Sequence, residues 1–222
     1  MRTTGGTRQR IVTAATELFR RQGYAATGMK QIVAAADAPY GSAYHFFPGG
    51  KSQLGEEVIR TSGAAYLALI AELFASPDGA PDASPDGGRD GARDMAAVTA
   101  DAFTAAAQTL QELDFADPCP IATVALEVAS THEPLRLATA EVFASWTDGL
   151  AAFYTAGGFT EPAAHETASS VIALLEGAFM LGRAARSTAP VLAASRAAAA
   201  IVRAARSTLP DPPDTPGSPA GA

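Results

Sequence analysis

The stretch TGMKQIVAAADAPYGSAYHFF, residues 27–47, constrains the fold most, because it can form two short helices only with a break between them. Thr27 is a favourable N-cap residue, and Met29 and Ile32 follow it at helical spacing. Pro39 disfavours the helical conformation in the residue before it, so one helix must end there and another can begin. We therefore predict a helix-turn-helix, whose second helix enters the major groove of DNA.

The second of these helices, over residues 40–47, is rich in side chains that can hydrogen-bond to DNA. They are Tyr40, Ser42, Tyr44 and His45. Base contacts concentrate at the N-terminal end of such a helix, so we expect Tyr40 and Ser42 to read bases. The two phenylalanines that follow, Phe46 and Phe47, are interpreted as core beneath the helix.

The longer segment TGMKQIVAAADAPYGSAYHFFPGGKSQL resembles the DNA-binding core of the TetR-type transcriptional repressors, most specifically in its YxHFF ending followed by a lysine. The runs PGGK and DPCPIATVALEVAS resemble the branch related to the LmrA and YxaF repressors. The resemblance is strong over residues 1–60 and visible to residue 208. It implies DNA contacts from a set of nine residues: Thr27, Met29, Lys30, Pro39, Tyr40, Ser42, Tyr44, His45 and Lys51.

Three positions depart from the family pattern. Asp37 stands where the family usually has a glycine in a left-handed conformation, which aspartate tolerates better than most residues. Ala43 replaces a large apolar residue, and Tyr40 takes a position that is often lysine. We expect these changes to affect how firmly the second helix is held and which bases it contacts.

Charge is distributed unevenly along the chain. Residues 1–60 hold eight lysines and arginines against four acidic residues, a net charge of +4, whereas the remainder has a net charge of −11. A basic N-terminal part on an acidic body places the DNA-binding surface at the N-terminus. The overall pI of about 4.9 argues against a protein that coats DNA regardless of sequence.

The remaining helices follow from apolar spacing, prolines and glycines. The predicted helices span residues 7–22, 51–75, 94–113, 121–130, 133–157, 162–186 and 190–207, while 76–89 is predicted as a loop. The predicted fold is all-α, with about nine helices in total. It has a three-helix head at 1–48, a helical effector-binding and dimerisation body at 49–208, and a disordered tail at 209–222. The single cysteine, Cys119, and the absence of a signal peptide or long apolar run favour a cytoplasmic protein with no membrane contact.

Chemistry typical of enzymes is absent from the sequence. It contains no dinucleotide fingerprint, phosphate-binding loop, nucleophile elbow or zinc-protease motif, and its three histidines lie far apart. We therefore predict no enzymatic activity, no cofactor and no metal. Cys119 lies between two prolines with no basic neighbour to activate it, which indicates a buried structural thiol.

The resemblance implies an effector pocket in the middle of the body. Its predicted lining residues are bulky apolar side chains with two polar ones: Phe103, Phe115, Trp146, Phe179, Thr123 and Glu127. An effector for such a pocket would be small and largely apolar.

A helix of two turns reads few bases, and helix-turn-helix proteins compensate by pairing half-sites. We therefore expect a homodimer through the last two helices. The predicted interface residues are Ile172, Leu175, Phe179, Ala198, Ile201 and Ala205.

Together these observations predict a ligand-responsive repressor that binds a pseudo-palindromic double-stranded operator as a homodimer and is released by its effector. The long helix from residue 51 would transmit the change. The alternative is an all-helical sensor or adaptor whose head docks a protein partner instead of DNA.

Overall fold

The computed structural model describes residues 4–75, 94–116 and 119–207, and in these ranges the chain is helical with no β-strand. The helices are α1 (Thr4–Gln22), α2 (Met29–Ala35), α3 (Tyr40–Phe46), α4 (Gly50–Ala75), α5 (Met95–Glu112), α6 (Pro120–Val128), α7 (Glu133–Ala156), α8 (Glu161–Ala185) and α9 (Ala189–Ser207). The predicted all-α fold is confirmed. The predicted loop at 76–89 and the predicted tail at 209–222 lie outside the described residues.

Local signals in the sequence set several helix ends. Gly23 follows α1 with a φ of +86°, a conformation that favours glycine. The Asp94 side chain caps α5 by accepting hydrogen bonds from the backbone N–H groups of Ala96 and Ala97. Helices α6, α7 and α8 each carry a proline in their first turn, where its missing N–H costs nothing.

The prediction that Thr27 caps α2 is wrong. Gly28 occupies the N-cap position, and no side chain caps this helix end. The Thr27 hydroxyl instead donates to the carbonyl of Gly23 at 2.7 Å and accepts from Gln22 Nε2 at 3.0 Å. Because this bond satisfies a carbonyl at the end of α1, Thr27 is turned inward and only 1% exposed.

One hydrophobic cluster joins the head (α1–α3) to the body (α4–α9). Ile11 and Phe47 of the head are fully buried, as is Leu54 at the start of α4. Leu135 and Trp146 of α7 belong to the same cluster. The interpretation of Phe47 as core is confirmed, and the core of the head continues into the body beyond residue 48.

A second cluster forms the far end of the body from α5, α7, α8 and α9. At its centre the Tyr154 hydroxyl lies 2.9 Å from the Thr99 hydroxyl, and both side chains are fully buried. Burial raises the pKa of Tyr154 to about 12, although the hydrogen bond with Thr99 acts in the other direction. This cluster positions the helices that line the cavity described below.

Among the described helices, α8 is long and apolar enough by composition to cross a membrane, with a mean hydropathy of 1.3 over its most apolar window. A core helix rich in alanine and leucine meets the same criterion. Here α8 packs against α7 and α9. Only 28% of that window is buried, however, so much of its apolar surface is not covered by its own chain.

Candidate DNA interface and effector cavity

Helix α3 presents its polar side chains outward because one small residue anchors it. Ala43 is fully buried against the head, whereas Tyr40 and Tyr44 are 45% and 46% exposed and His45 is also exposed. Pro39 precedes the helix as its N-cap residue, and its carbonyl accepts from the backbone N–H of Ser42 at 2.9 Å. Tyr40, Tyr44 and His45 thus lie on the outer face of α3, whereas Ser42 is half-buried.

The turn between α2 and α3 contains Asp37, the residue that stands where the family usually has a glycine. This residue adopts a φ of +46°, so the left-handed conformation expected at this position is confirmed. The Arg10 guanidinium of α1 stabilises the turn by donating to the carbonyls of Ala36 at 2.9 Å and Asp37 at 3.1 Å. The turn is thus tied to α1 through its backbone.

Tyr40 and Tyr44 form a pair on the outer surface of α3. Their rings meet edge to face with centroids 5.5 Å apart, and their hydroxyl oxygens are 3.4 Å apart. Two phenol groups one turn apart on a helix supply adjacent hydrogen-bond donors and acceptors. Either hydroxyl can bond to a base edge or to a phosphate oxygen.

Lys51 does not extend into solvent. Its ammonium donates to the carbonyls of Tyr24 at 3.0 Å and Thr27 at 3.1 Å, and it lies 4.2 Å from the centroid of the Tyr24 ring. Burial lowers the pKa of Lys51, and the negative charge of Glu127 partly offsets this. In this conformation Lys51 holds the α1–α2 loop (residues 23–28) against the start of α4.

Most basic side chains of residues 4–60 are likewise engaged within the chain. Arg8 pairs with Glu57, Arg20 and Arg21 pair with Glu17, and Arg60 pairs with Glu56 and Glu141. Lys30 on α2 is exposed and, within the described ranges, makes no ion pair or hydrogen bond. The net charge of the head therefore overstates the number of cations available for phosphates.

Met29, which was predicted to contact DNA, is buried in the core of the head.

Glu127, predicted as a polar pocket residue, instead connects the body to the head. Its two carboxylate oxygens accept from the backbone N–H groups of Tyr24 at 3.1 Å and Ala25 at 2.6 Å. It also borders a groove on the body surface. The sequence did not predict this contact, because the partners are more than one hundred positions apart. The local indication was Gly23, where a larger side chain would meet the Glu127 carboxylate.

An apolar cavity of about 180 Å³ lies between α4, α5, α7 and α8. Its walls include three of the predicted pocket residues, Phe103, Trp146 and Phe179. Tyr66, Thr109 and Glu176 provide polar atoms in the wall. The remaining lining residues are aliphatic or small: Leu69, Ile70, Ala102, Ala105, Ala106, Leu150, Val171, Ile172 and Leu175.

The other predicted pocket residues lie elsewhere. Phe115 follows the end of α5, where the Arg186 guanidinium stands 5.6 Å from its ring centroid. Thr123 and Glu127 line a groove of about 530 Å³ between α6 and α8. Glu176 and Phe179 line both the groove and the cavity, so the two spaces share a wall.

Trp146 is well placed to report on the cavity. Its ring lines the cavity and is only 3% exposed, and its Nε1 donates to the carbonyl of Gly63 on α4 at 2.9 Å. The Tyr66 ring lies beside it with centroids 5.7 Å apart. The tryptophan thus connects α7 to α4 at the cavity wall.

The predicted dimer interface on α8 and α9 stays a prediction, and the structure shows where its six residues lie within one chain. Phe179 and Ala198 are buried within their own chain, and Ile172 and Leu175 line the cavity. Ile201 and Ala205 are half-buried. Small apolar residues surround both α8 and α9, so sequence periodicity could not tell the inward faces from the outward ones. The outward apolar residues include Ala173, Met180, Leu181 and Ala184 on α8, and Leu192, Ala193, Ala197 and Ala200 on α9.

Cys119 has the structural role that its sequence context indicated. It is 1% exposed, it occupies the N-cap position of α6, and its Sγ accepts from the backbone N–H of Ala122 at 3.3 Å. Within the described residues, no group of three or more histidine, cysteine, aspartate or glutamate side chains could hold a metal ion.

Two segments of the chain match known protein families. Residues 11–58 match the bacterial regulatory proteins of the tetR family, and residues 96–197 match the C-terminal domain of the LmrA/YxaF-like transcriptional regulators. The chain is 32% identical over 191 residues to the HTH-type transcriptional regulator Rv0196 of Mycobacterium tuberculosis, a match that covers 84% of this chain and 89% of that protein. The chain belongs to the TetR family.

Other relatives agree with this assignment. The TetR-family chain is 30% identical over 194 residues to the HTH-type transcriptional regulator LmrA of Bacillus subtilis, covering 84% of this chain and 92% of that protein. The crystal structure of a TetR transcriptional regulator from Legionella pneumophila has the same fold, with a TM-score of 0.71 at 18% identity over 86% of this chain and 94% of that one. The protein is therefore a DNA-binding transcriptional regulator and not an enzyme.

Proposed function

We propose that this TetR-family regulator is a repressor that binds a pseudo-palindromic operator as a homodimer and leaves it when a small, largely apolar effector fills the cavity. One observation carries the proposal: a single helix, α4, reaches both functional surfaces. Its Leu54 packs in the core of the head, and its Tyr66 and Ile70 line the cavity. A ligand that changes the position of α4 would therefore also move α3.

For the DNA interface, we propose that Tyr40 and Ser42 contact base edges from the N-terminal end of α3. Lys30, Pro39, Tyr44 and His45 would contact the adjoining phosphates and sugars. Met29 and Thr27 support this surface from inside the head, since both are buried. Lys51 would act on DNA binding mainly through the α1–α2 loop, because two of its donor groups are already used there.

For the homodimer, we propose an interface between the outward faces of α8 and α9. Met180 and Leu181 are 57% and 58% exposed, which is unfavourable for bulky apolar side chains in water. Ala197 and Ala200 on α9 are exposed as well, and their small side chains would allow two helices to approach closely. Burying both faces against a second copy would form a four-helix interface and place two α3 helices on one operator.

For the effector, the size and chemistry of the cavity favour a compound of one or two rings. An engineered cavity of roughly 150 Å³ holds benzene, and this cavity has about 180 Å³. Aromatic walls from Phe103 and Trp146 provide apolar contact, and Glu176 and Thr109 provide the few polar groups. A coupling of about 1–3 kcal/mol would change DNA affinity roughly 5–150-fold. The cytoplasm is where such a regulator would meet DNA.

The proposal is tested by titrating the full chain against duplexes from the region flanking its own gene, with fluorescence anisotropy at several salt concentrations. We expect one segment to bind at least about 10³ times more tightly than scrambled DNA, with two chains per duplex. Equal affinity for operator and scrambled duplexes would contradict specific regulation.

A further inference from the structure

We propose that Glu127 is a positioning residue for DNA binding: it fixes the head on the body and thereby sets the half-site spacing that the homodimer accepts. This inference rests on the proposed binding of DNA by a homodimer. It concerns a residue of the body, on α6, outside the helix-turn-helix.

The contact is specific in its geometry. Each Glu127 oxygen accepts one backbone N–H, from Tyr24 at 3.1 Å and from Ala25 at 2.6 Å, so the carboxylate spans two successive donors of the α1–α2 loop. Hydrogen bonds to a charged acceptor are about twice as strong as neutral ones. A pair of them resists rotation of the loop as well as its separation from α6.

The same loop is also held by a cation. Lys51, at the start of α4, donates to the carbonyls of Tyr24 and Thr27. The loop therefore bonds to a carboxylate through two of its N–H groups and to an ammonium through two of its carbonyls. Because these groups come from two different helices, α6 and α4, their relative position determines where the loop sits.

Gly23 shows how closely the loop approaches α6. A Cβ at this position would stand 2.9 Å from the Glu127 Cδ and would overlap Oε1, and the φ of +86° also favours glycine. Such close packing leaves the head little freedom to tilt around this loop. Two heads in a dimer must present their α3 helices one DNA turn apart, about 34 Å or a multiple. A small tilt at each loop would therefore change the accepted spacing.

Glu127 also lies next to the wall that a ligand would move. It lines the groove together with Glu176 and Phe179, and those two residues line the cavity on their other side. A cavity ligand that displaces α8 would therefore change the groove in which the Glu127 side chain lies. This would give the ligand a second way to act on the loop, in addition to the one along α4.

The first experiment measures affinity for operators in which the spacer between half-sites is lengthened or shortened by one and two base pairs. We expect the wild-type chain to prefer one spacing by about tenfold or more, and Glu127→Ala to reduce that preference to about threefold or less. Glu127→Gln keeps the shape but only one acceptor oxygen, so its preference should be intermediate. All variants should retain the affinity of the wild type for a single half-site.

Glu133→Ala is the matched control, because Glu133 is an exposed carboxylate near the same end of the body that bonds to Arg136 on its own helix. It should leave the spacing preference unchanged. Circular dichroism and unfolding midpoints identify any variant that has lost its fold, in which case Glu127→Gln provides the comparison.

A second experiment needs no DNA. Cys119 is buried, so a nitroxide can be attached selectively through Thr13→Cys on the exposed side of α1. The distance distribution between the two labelled heads of a dimer should broaden in Glu127→Ala and stay narrow in Glu133→Ala. An unchanged distribution and an unchanged spacing preference in Glu127→Ala would overturn this inference alone. A wild-type chain that binds no DNA would overturn the proposed function and this inference together.

Discussion

Gly23 and Glu127 meet across the boundary between head and body, with no room for a side chain between them. A Cβ on Gly23 would stand 2.9 Å from the Glu127 Cδ. The φ of +86° favours glycine here, and an alanine would in addition displace the Glu127 carboxylate from its present position. Under our proposal, the α1–α2 loop is the point at which a residue of the body acts on the position of α3.

Gly23→Ala should destabilise the protein by about 3 kcal/mol, because it combines a left-handed backbone penalty with overlap on Glu127. The control is Gly158→Ala, where φ is +91° but no atom lies within 4 Å of the added Cβ. The free energy of unfolding of that variant should fall by only about 1 kcal/mol. Urea unfolding measures both. Equal losses would mean that Glu127 moves aside without cost.

Lys51→Ala should weaken DNA binding without changing its salt dependence, because Lys51 holds the loop and two of its donor groups are engaged there. Lys30→Ala should instead weaken binding and reduce the salt slope by about 1, as expected for a lost phosphate contact. Affinities measured between low and moderate salt compare the two. If Lys51→Ala also reduced the salt dependence of the DNA affinity, Lys51 would be a phosphate contact after all.

Tyr40→Phe should alter the preference among operators, whereas Tyr44→Phe should mainly lower the affinity for all of them. Each variant keeps the ring and so the edge-to-face packing of the pair. Loss of a base contact from Tyr40 would cost about 1–3 kcal/mol of discrimination. Binding to a library of single-base operator variants is the measurement. Uniform losses across the library in both variants would contradict the assignment of Tyr40 to base contact.

Nitrobenzene should quench the fluorescence of Trp146, the single tryptophan, because an apolar one-ring compound fits the cavity against its ring. Acrylamide should quench weakly, since Trp146 is only 3% exposed. Ala106→Phe would fill part of the cavity from α5 and should reduce the nitrobenzene affinity at least about tenfold. Quenching that is unaffected by this substitution would place the compound outside the cavity.

Ala200→Glu should convert the homodimer to monomers at micromolar concentration and abolish paired operator binding, because it buries a charge in the proposed interface. Ala140→Glu on α7 is the control: it adds the same charge at another exposed alanine. Light scattering coupled to gel filtration measures the mass of each variant. A dimer that persists in Ala200→Glu would exclude this face of α9 from the interface.

The amino-acid sequence by itself determined where the helices lie. Apolar spacing, the Asp94 cap and prolines at helix starts act within one or two turns, and the structure has helices at all the predicted places. The same local logic identified the outward face of α3, since a two-turn helix with one buried alanine has only one way to present Tyr40 and Tyr44. The left-handed conformation of Asp37 was expected from the resemblance, since the family usually has a glycine in this conformation at that position.

Only the tertiary structure decided which groups meet across the chain. Lys51 was predicted to face a phosphate and is held by loop carbonyls, and Glu127 was predicted in a pocket and bonds to the head. The faces of α8 and α9 could not be assigned from sequence, because apolar residues surround both helices and Ala198 suits either side equally well. Helix formation is a local equilibrium that short patterns predict, whereas the partner of a charged group depends on helices distant in sequence, whose packing no local pattern specifies.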